Sequence, residues 1–330
     1  MAPRQTFWSR DDESIDSSSE AVAALEWLTG MRPAGAPRPP PIAHVQPVAE
    51  AVRFRRKNAT WLTADEQRHL RDAVNGLAAT NTTSASRPWG RLVDLHRSLI
   101  QQIHGVAPFW PWASTSWNTV PFPPPAAGAN LDAVMQFLPW HRLFIRMFEI
   151  ELQRIDPTVA LPYWDWTTLR RLPGWVTNLM PAVVTDAQGT ITISRTAGPS
   201  TVSPDSTGPR DFDNLPMDSA AHPDISGATR LTSYTDFTCE LEMQHNRPHG
   251  WVGDTMGRLA TAAADFCFYL HHANIDRIWC LWQRAHPGSP NPRPTTALPL
   301  GSLPAPVIGG RTISTISDVE SVANLEYDYV

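Results

Sequence analysis

Apolar residues recur at intervals of three and four in five stretches of the chain, the spacing that lines one face of a helix. Leu70, Val74 and Leu77 follow Thr63-Ala64-Asp65-Glu66, an N-terminal cap signal. Leu92, Leu95, Leu99 and Ile103 predict a second helix over about residues 89–103. A third is expected to begin at Pro139, a residue type favoured in the first helical turn, and to run through Leu152. A fourth is expected over 239–250, with Pro248 restricting where it can start, and a fifth over 262–285. Residues 172–235, rich in Gly, Pro, Ser, Thr and Asp, read as long loops around one hairpin. The tail from Pro287 reads as loop and short strand, and no internal repeat is found. The fold class is therefore mostly α, with little strand and long connections between a few core helices.

Composition adds limits to this outline. Compact sequence starts near Val52; residues 1–50 are expected to be a partly ordered extension, and 51–330 one domain. The extension has an acidic, Ser-rich start, an apolar piece over 21–31 that suits a small docking helix, and a Pro-rich run. Apolar residues make up 42% of the 330, enough for a sizeable core that excludes a disordered chain. A net charge of −5 with no basic run argues against nucleic acid as a partner. Apolar runs fall well short of the roughly 18–20 residues a membrane span needs. Three cysteines, with no CxxC pair, imply neither a disulfide framework nor a thiolate metal site. No apolar leader segment is seen, so the cytoplasm is the expected compartment, with export beside a signal-bearing partner left open.

The chemistry concentrates in histidine. A lone His on an apolar helix is usually a satisfied core residue, but the grouping here is different. His245 and His249 are spaced to face one side of a helix, and His271-His272 lies in the next predicted helix. Imidazoles in a Trp-rich interior must hydrogen-bond or bind metal, because burying them unpaired is costly. Three neutral imidazoles suit Cu, Zn, Fe or Ni. The pair lacks the Glu of an HExxH zinc motif.

Longer motifs then carry a resemblance. FLPWHRLF (137–144) followed by LPYWDWT (161–167) resembles the copper-A region of tyrosinases, and HNRPHGWVGD (245–254) with DFCFYLHHANIDRIWCLWQ (265–283) resembles their copper-B region. RRKNATWLT (55–63) is similar to the family's opening arginine segment, and Tyr327-Asp328-Tyr329 to its closing Tyr-x-Tyr. The match is closest to the short bacterial tyrosinases and covers about residues 50–330. It implies a four-helix-bundle core holding a type-3 copper pair, three His to each ion. Copper B would take His245, His249 and His272, with His271 the non-ligand neighbour. Copper A would take His104 and His141, with His96 a weaker candidate than His104.

The sequence departs from the family at the middle copper-A ligand. The resemblance puts a His nine residues before His141, where this chain has Asp132. Either Asp132 completes the site as a carboxylate ligand, or it is a capping or loop carboxylate and site A is incomplete. The set His104, Asp132, His141 would favour Fe(II) or Zn over Cu(I). The Cys–His thioether of fungal and plant relatives is absent, since Asn130 stands at the Cys position. FTCELE (237–242) resembles the segment ending in the family's water-orienting Glu, which maps to Glu242, with Asn246 as its partner in deprotonating a phenol. Asp276 and Arg277 are expected to form an ion pair or to support the ligand helix. Gly250 leaves the pocket rim open, and residues 256–263 border the entrance.

The implied function is copper-dependent oxidation of phenols with O2, by ortho-hydroxylation or by oxidation of o-diphenols or o-aminophenols, in secondary metabolism. The partners are a small phenolic substrate, O2 and a copper chaperone for loading. Two alternatives stand beside it: a member with site A empty or holding Fe or Zn, and a non-catalytic O2-binding relative.

Overall fold

The computed structural model describes residues 53–83, 86–106, 130–177, 179, 183–195, 217 and 223–330. The expected N-terminal extension, and the short helix within it, lie outside these residues. Five long helices form the core: α1 (Ala64–Thr83), α2 (Pro88–Ile103), α3 (Leu131–Ile155), α4 (Tyr234–Val252) and α5 (Phe266–Ala285). Six short strands pair two by two. β1 (Phe54–Arg56) runs parallel to β6 (Tyr327–Tyr329), β2 (Val183–Thr185) and β3 (Thr190–Thr192) form the expected hairpin, and β4 (Val307–Ile308) pairs with β5 (Arg311–Thr312). No helix among the described residues is long and apolar enough to cross a membrane.

α1 starts where its cap signal stands. The Thr63 Oγ1 accepts from the Glu66 N–H at 3.2 Å, and the Glu66 carboxylate accepts from the Thr63 N–H at 2.8 Å, a reciprocal capping box. α5 differs slightly from expectation. Residues Ala262–Ala264 form a separate 3-10 turn, and Asp265 caps the α-helix by accepting from the Cys267 N–H at 2.8 Å. The same carboxylate is paired with the buried Arg195.

α3 is the central helix and the largest correction. It packs against α1, α2, α4 and α5 and is buried on all sides over its middle, as a helix enclosed by others must be. Its first residue is Leu131, not Pro139. Asn130 caps it, accepting from the Ala133 N–H at 3.4 Å. Pro139 sits inside the helix, where it removes the bond that would end on the Met135 carbonyl. That carbonyl is satisfied instead by Asn291 Nδ2 at 3.0 Å. A proline is tolerated here because the tail supplies the missing donor.

The helices are tied through one buried carboxylate. Asp276 of α5 accepts from Arg142 of α3 and, at 2.5 and 2.6 Å, from the hydroxyls of Tyr327 and Tyr329. Arg56 of β1 lies 3.4 Å from it and binds Glu149 of α3 at 2.8 Å. Arg142 also donates to the Val319 and Glu320 carbonyls, at 3.0 and 2.8 Å, and stacks 3.5 Å above the Trp279 ring. The expected Asp276–Arg277 pair does not form. Adjacent helical residues point about 100° apart, and Arg277 instead faces Asp165 at 3.8 Å.

Removing Asp276 leaves the buried Arg142 guanidinium without a carboxylate partner and takes one of two from Arg56. Asp276→Ala is expected to destabilise the protein by about 3–5 kcal/mol in equilibrium denaturation. Arg293→Ala, which breaks a solvent-exposed pair with Asp132, is expected to cost less than about 1 kcal/mol.

Candidate metal centre

Two clusters of buried imidazoles face one another inside the bundle. His96, His104 and His141 form one, and His245, His249, His271 and His272 the other; within each, the donor atoms lie within 4.8 Å of one another. His96 projects from the apolar face of α2, beside Leu95 and Leu99. His104 is the cap residue just beyond the end of α2. Gly105 lets that end close on the start of α3: a Cβ there would stand 2.4 Å from the Asn130 carbonyl and from Val134. His141 comes from the middle of α3, His245 and His249 from successive turns of α4, and His272 from α5. Across the centre, the His141 and His272 rings stack at 4.4 Å and those of His104 and His245 at 5.9 Å.

Hydrogen bonds set which nitrogen of each ring is left over. The Nδ1 atoms of His141, His245 and His249 meet the carbonyls of Phe137, Glu242 and Met256, at 2.7, 2.6 and 2.9 Å. A carbonyl can only accept, so each Nδ1 carries the proton and each Nε2 keeps its lone pair. The Leu259 main chain lies beside the His96 ring and partly offsets the effect of its burial. The Nε2 atoms of His96, His104, His141 and His245 are buried with no hydrogen-bond partner. Those of His249 and His272 point at one spot, 3.2 Å apart.

Burial also keeps these rings neutral. It pushes His104 down to about 3 and His249 down to about 4, and holds His96, His141, His245 and His272 well below the ordinary value. Neutral imidazoles with inward lone pairs are the state a metal ion requires. Phe137 and Phe268 pack against the rings, with Phe268 stacked 4.1 Å from His272, and keep the site apolar. The donor set therefore fits two late first-row metal ions, three imidazoles apiece. His271 stacks on His245 at 5.4 Å, and neither of its nitrogens has a partner.

Asp132 is not part of either cluster, which corrects the expected His104, Asp132, His141 set. Its side chain is 80% exposed and is paired with Arg293. The reason follows from the start of α3. Nine residues along a continuous helix span roughly 13.5 Å and two and a half turns, so Asp132 lies on the opposite face from His141. In the first turn its charge suits the positive end of the helix dipole. His96 stands in its place. The signal was present, as two His eight positions apart on and just after one amphipathic helix. Their spacing makes them rivals for one place, whereas the fold brings both in. In the loop 256–263, Met256 is buried and its carbonyl accepts from His249 Nδ1, while Arg258 and Ala260 are exposed.

Glu242 lies beside the centre. Glu242 is buried, and burial pushes its carboxyl well above the usual range. Its Oε1 lies 3.6 Å from His104 Nδ1, and its Oε2 has no partner. Asn246 is half-buried beside His245.

Residues 86–285 match the common central domain of tyrosinase. The chain is 34% identical to a tyrosinase of Streptomyces galbus over 262 residues, which is 71% of this chain and 84% of that one. It is 34% identical to a tyrosinase of Streptomyces antibioticus over 219 residues, 58% and 76% of the two chains. It is also 33% identical over 171 residues to hemocyanin A-type units Ode to Odg of Enteroctopus dofleini, covering 46% of this chain and only 13% of that one. Among solved structures, a functional unit of octopus hemocyanin superposes with a TM-score of 0.54 at 24% identity, covering 84% of this chain and 68% of the other.

Two measurements check the centre. His96→Ala is expected to lower the metal bound per chain, and Asp132→Ala to leave it unchanged, by elemental analysis of reconstituted protein. The metal-free protein should lose stability as the pH falls from about 6.5 to about 4. In that window the unfolded chain binds protons at His249 that the folded chain, with its lowered value, does not. Denaturation midpoints across the range would show it.

Proposed function

The chain belongs to the tyrosinase family, and we propose on that footing that it is an oxidoreductase that uses O2 to oxidise small phenols. The reactions are ortho-hydroxylation of monophenols and two-electron oxidation of o-diphenols or o-aminophenols. Copper is the cofactor of the family, and when bound as a pair it supplies the redox chemistry with O2. His96, His104 and His141 would hold one ion; His245, His249 and His272 would hold the other. The observation that carries this reading is the convergence of buried Nε2 atoms: those of His96, His104, His141 and His245 have no partner, and those of His249 and His272 meet only each other. Left unfilled, each represents a desolvated polar atom with nothing to compensate it.

The chain's own groups have distinct tasks. The six neutral rings offer lone pairs without a competing proton. Phe137 and Phe268 exclude water from the rings they cover. Glu242 and Asn246 are the groups we place beside the phenol hydroxyl. The buried Glu242 Oε2, free of other partners, is able to hold the water that takes up the phenol proton. Gly250, directly after His249, presents no side chain that would narrow the approach.

A second reading, reversible O2 binding without turnover, is favoured by the similarity to octopus hemocyanin. The two separate on one experiment. Copper-loaded protein is supplied with a monophenol, an o-diphenol and an o-aminophenol while O2 uptake and product are followed. Continuous O2 consumption with product is expected. O2 binding that reverses on evacuation, with no product, would replace the enzyme by the carrier. In the same assay His249→Ala is expected to fall to background, and full activity in that variant would remove the second cluster from the reaction.

A further inference from the structure

Besides the apolar rings of Phe137 and Phe268, a polar residue touches both histidine clusters. Glu242 lies on α4 three positions before His245, and its two polar ends point to different ligands. Its main-chain carbonyl accepts from His245 Nδ1 at 2.6 Å. Its carboxylate reaches the end of α2, where Oε1 accepts from the Val106 N–H at 3.3 Å and stands 3.6 Å from His104 Nδ1. Both side chains are almost fully buried, at 5% exposure for His104 and 1% for Glu242, so bulk water does not compete for the contact.

His104 differs from three of the other rings in what stands behind it, while the Nδ1 of His272 has no partner at all. His141, His245 and His249 are each oriented by a main-chain carbonyl. Such carbonyls are fixed by the helix or loop that carries them. His104 sits past the last turn of α2 in extended backbone, and its own N–H closes on Ile100. The acceptor recorded beside its Nδ1 belongs to a side chain of another helix. A carboxylate behind an imidazole fixes the tautomer, keeps Nε2 as the donor and raises its basicity.

We propose that Glu242 is a positioning residue that orients His104 for the first metal ion while its peptide carbonyl orients His245 for the second. A shift of α4 would then disturb one ligand in each cluster, so the two half-sites are mechanically linked through a single residue. This rests on the copper reading above.

Copper titration of the full-length protein, with electron paramagnetic resonance of the oxidised form, tests it. Wild type is expected to bind two coppers per chain and to be nearly silent, because two adjacent Cu(II) spins couple. Glu242→Ala is expected to weaken one copper by about 10- to 100-fold. At limiting copper it should show a mononuclear Cu(II) signal, as His104→Ala should. Combining the two substitutions should weaken that copper no further. Glu242→Gln keeps an acceptor oxygen and is expected to recover the second copper and the silent spectrum, even where phenol oxidation stays low. Glu242→Asp, one methylene shorter, gives a milder test of the same kind, with intermediate weakening of one copper only. Two tight coppers in both Glu242→Ala and Glu242→Asp would overturn the assignment, and so would Glu242→Gln behaving like Glu242→Ala. Wild-type protein that binds no copper pair would instead overturn the copper reading itself.

Discussion

A polar atom taken out of water and given no partner raises the free energy of the fold, and this bundle buries several such atoms at one point. The Nε2 atoms of His96, His104, His141 and His245 converge there without donors or acceptors. An apolar interior of Phe137, Phe268 and the surrounding helices denies them solvent. The arrangement is unfavourable alone and favourable with ions bound, so metal affinity and folding energy are linked through the same atoms. The carbonyls that orient the rings are part of this design, because each leaves a ring nitrogen facing inward that would otherwise be free to turn toward a local acceptor.

The rest of the structure keeps the two clusters facing each other. Arg142 directly follows His141, and Asp276 lies one turn beyond His272 on the facing helix. Their ion pair therefore joins these two helices within a few residues of the clustered rings. Tyr327 and Tyr329 close on the same carboxylate from the end of the chain, and Arg56 from its first strand. In an interior that is close-packed, such a tie transmits position with little slack. Distant segments of sequence thus bear on the spacing of the centre without touching it.

The relatives divide into proteins named tyrosinase and proteins named hemocyanin, and the scaffold serves both. A shared fold does not decide between turnover and reversible binding. What can decide is the surroundings of the rings: an acceptor for the phenol proton, and room for an aromatic ring beside the ions. Glu242, Asn246 and Gly250 are the residues we propose for those two conditions.

Much of this was legible in residue order. The stripe 92, 95, 99, 103, the cap at Thr63, the pair His245 and His249 and the hairpin after residue 172 all express periodicities that a local backbone obeys wherever it sits. The motifs around residues 137–144 and 265–283 named the family for the same reason, being contiguous. Tertiary contacts decided the rest. Whether Pro139 opens α3 or lies within it turned on a donor from Asn291, far along the chain, that satisfies the Met135 carbonyl. The continuous helix from Leu131 puts Asp132 on the outer face, and packing of α2 against α3 brings His96 into the first cluster. Local sequence specifies what a helix can be; only packing fixes where it starts, and its start decides which side chains point inward.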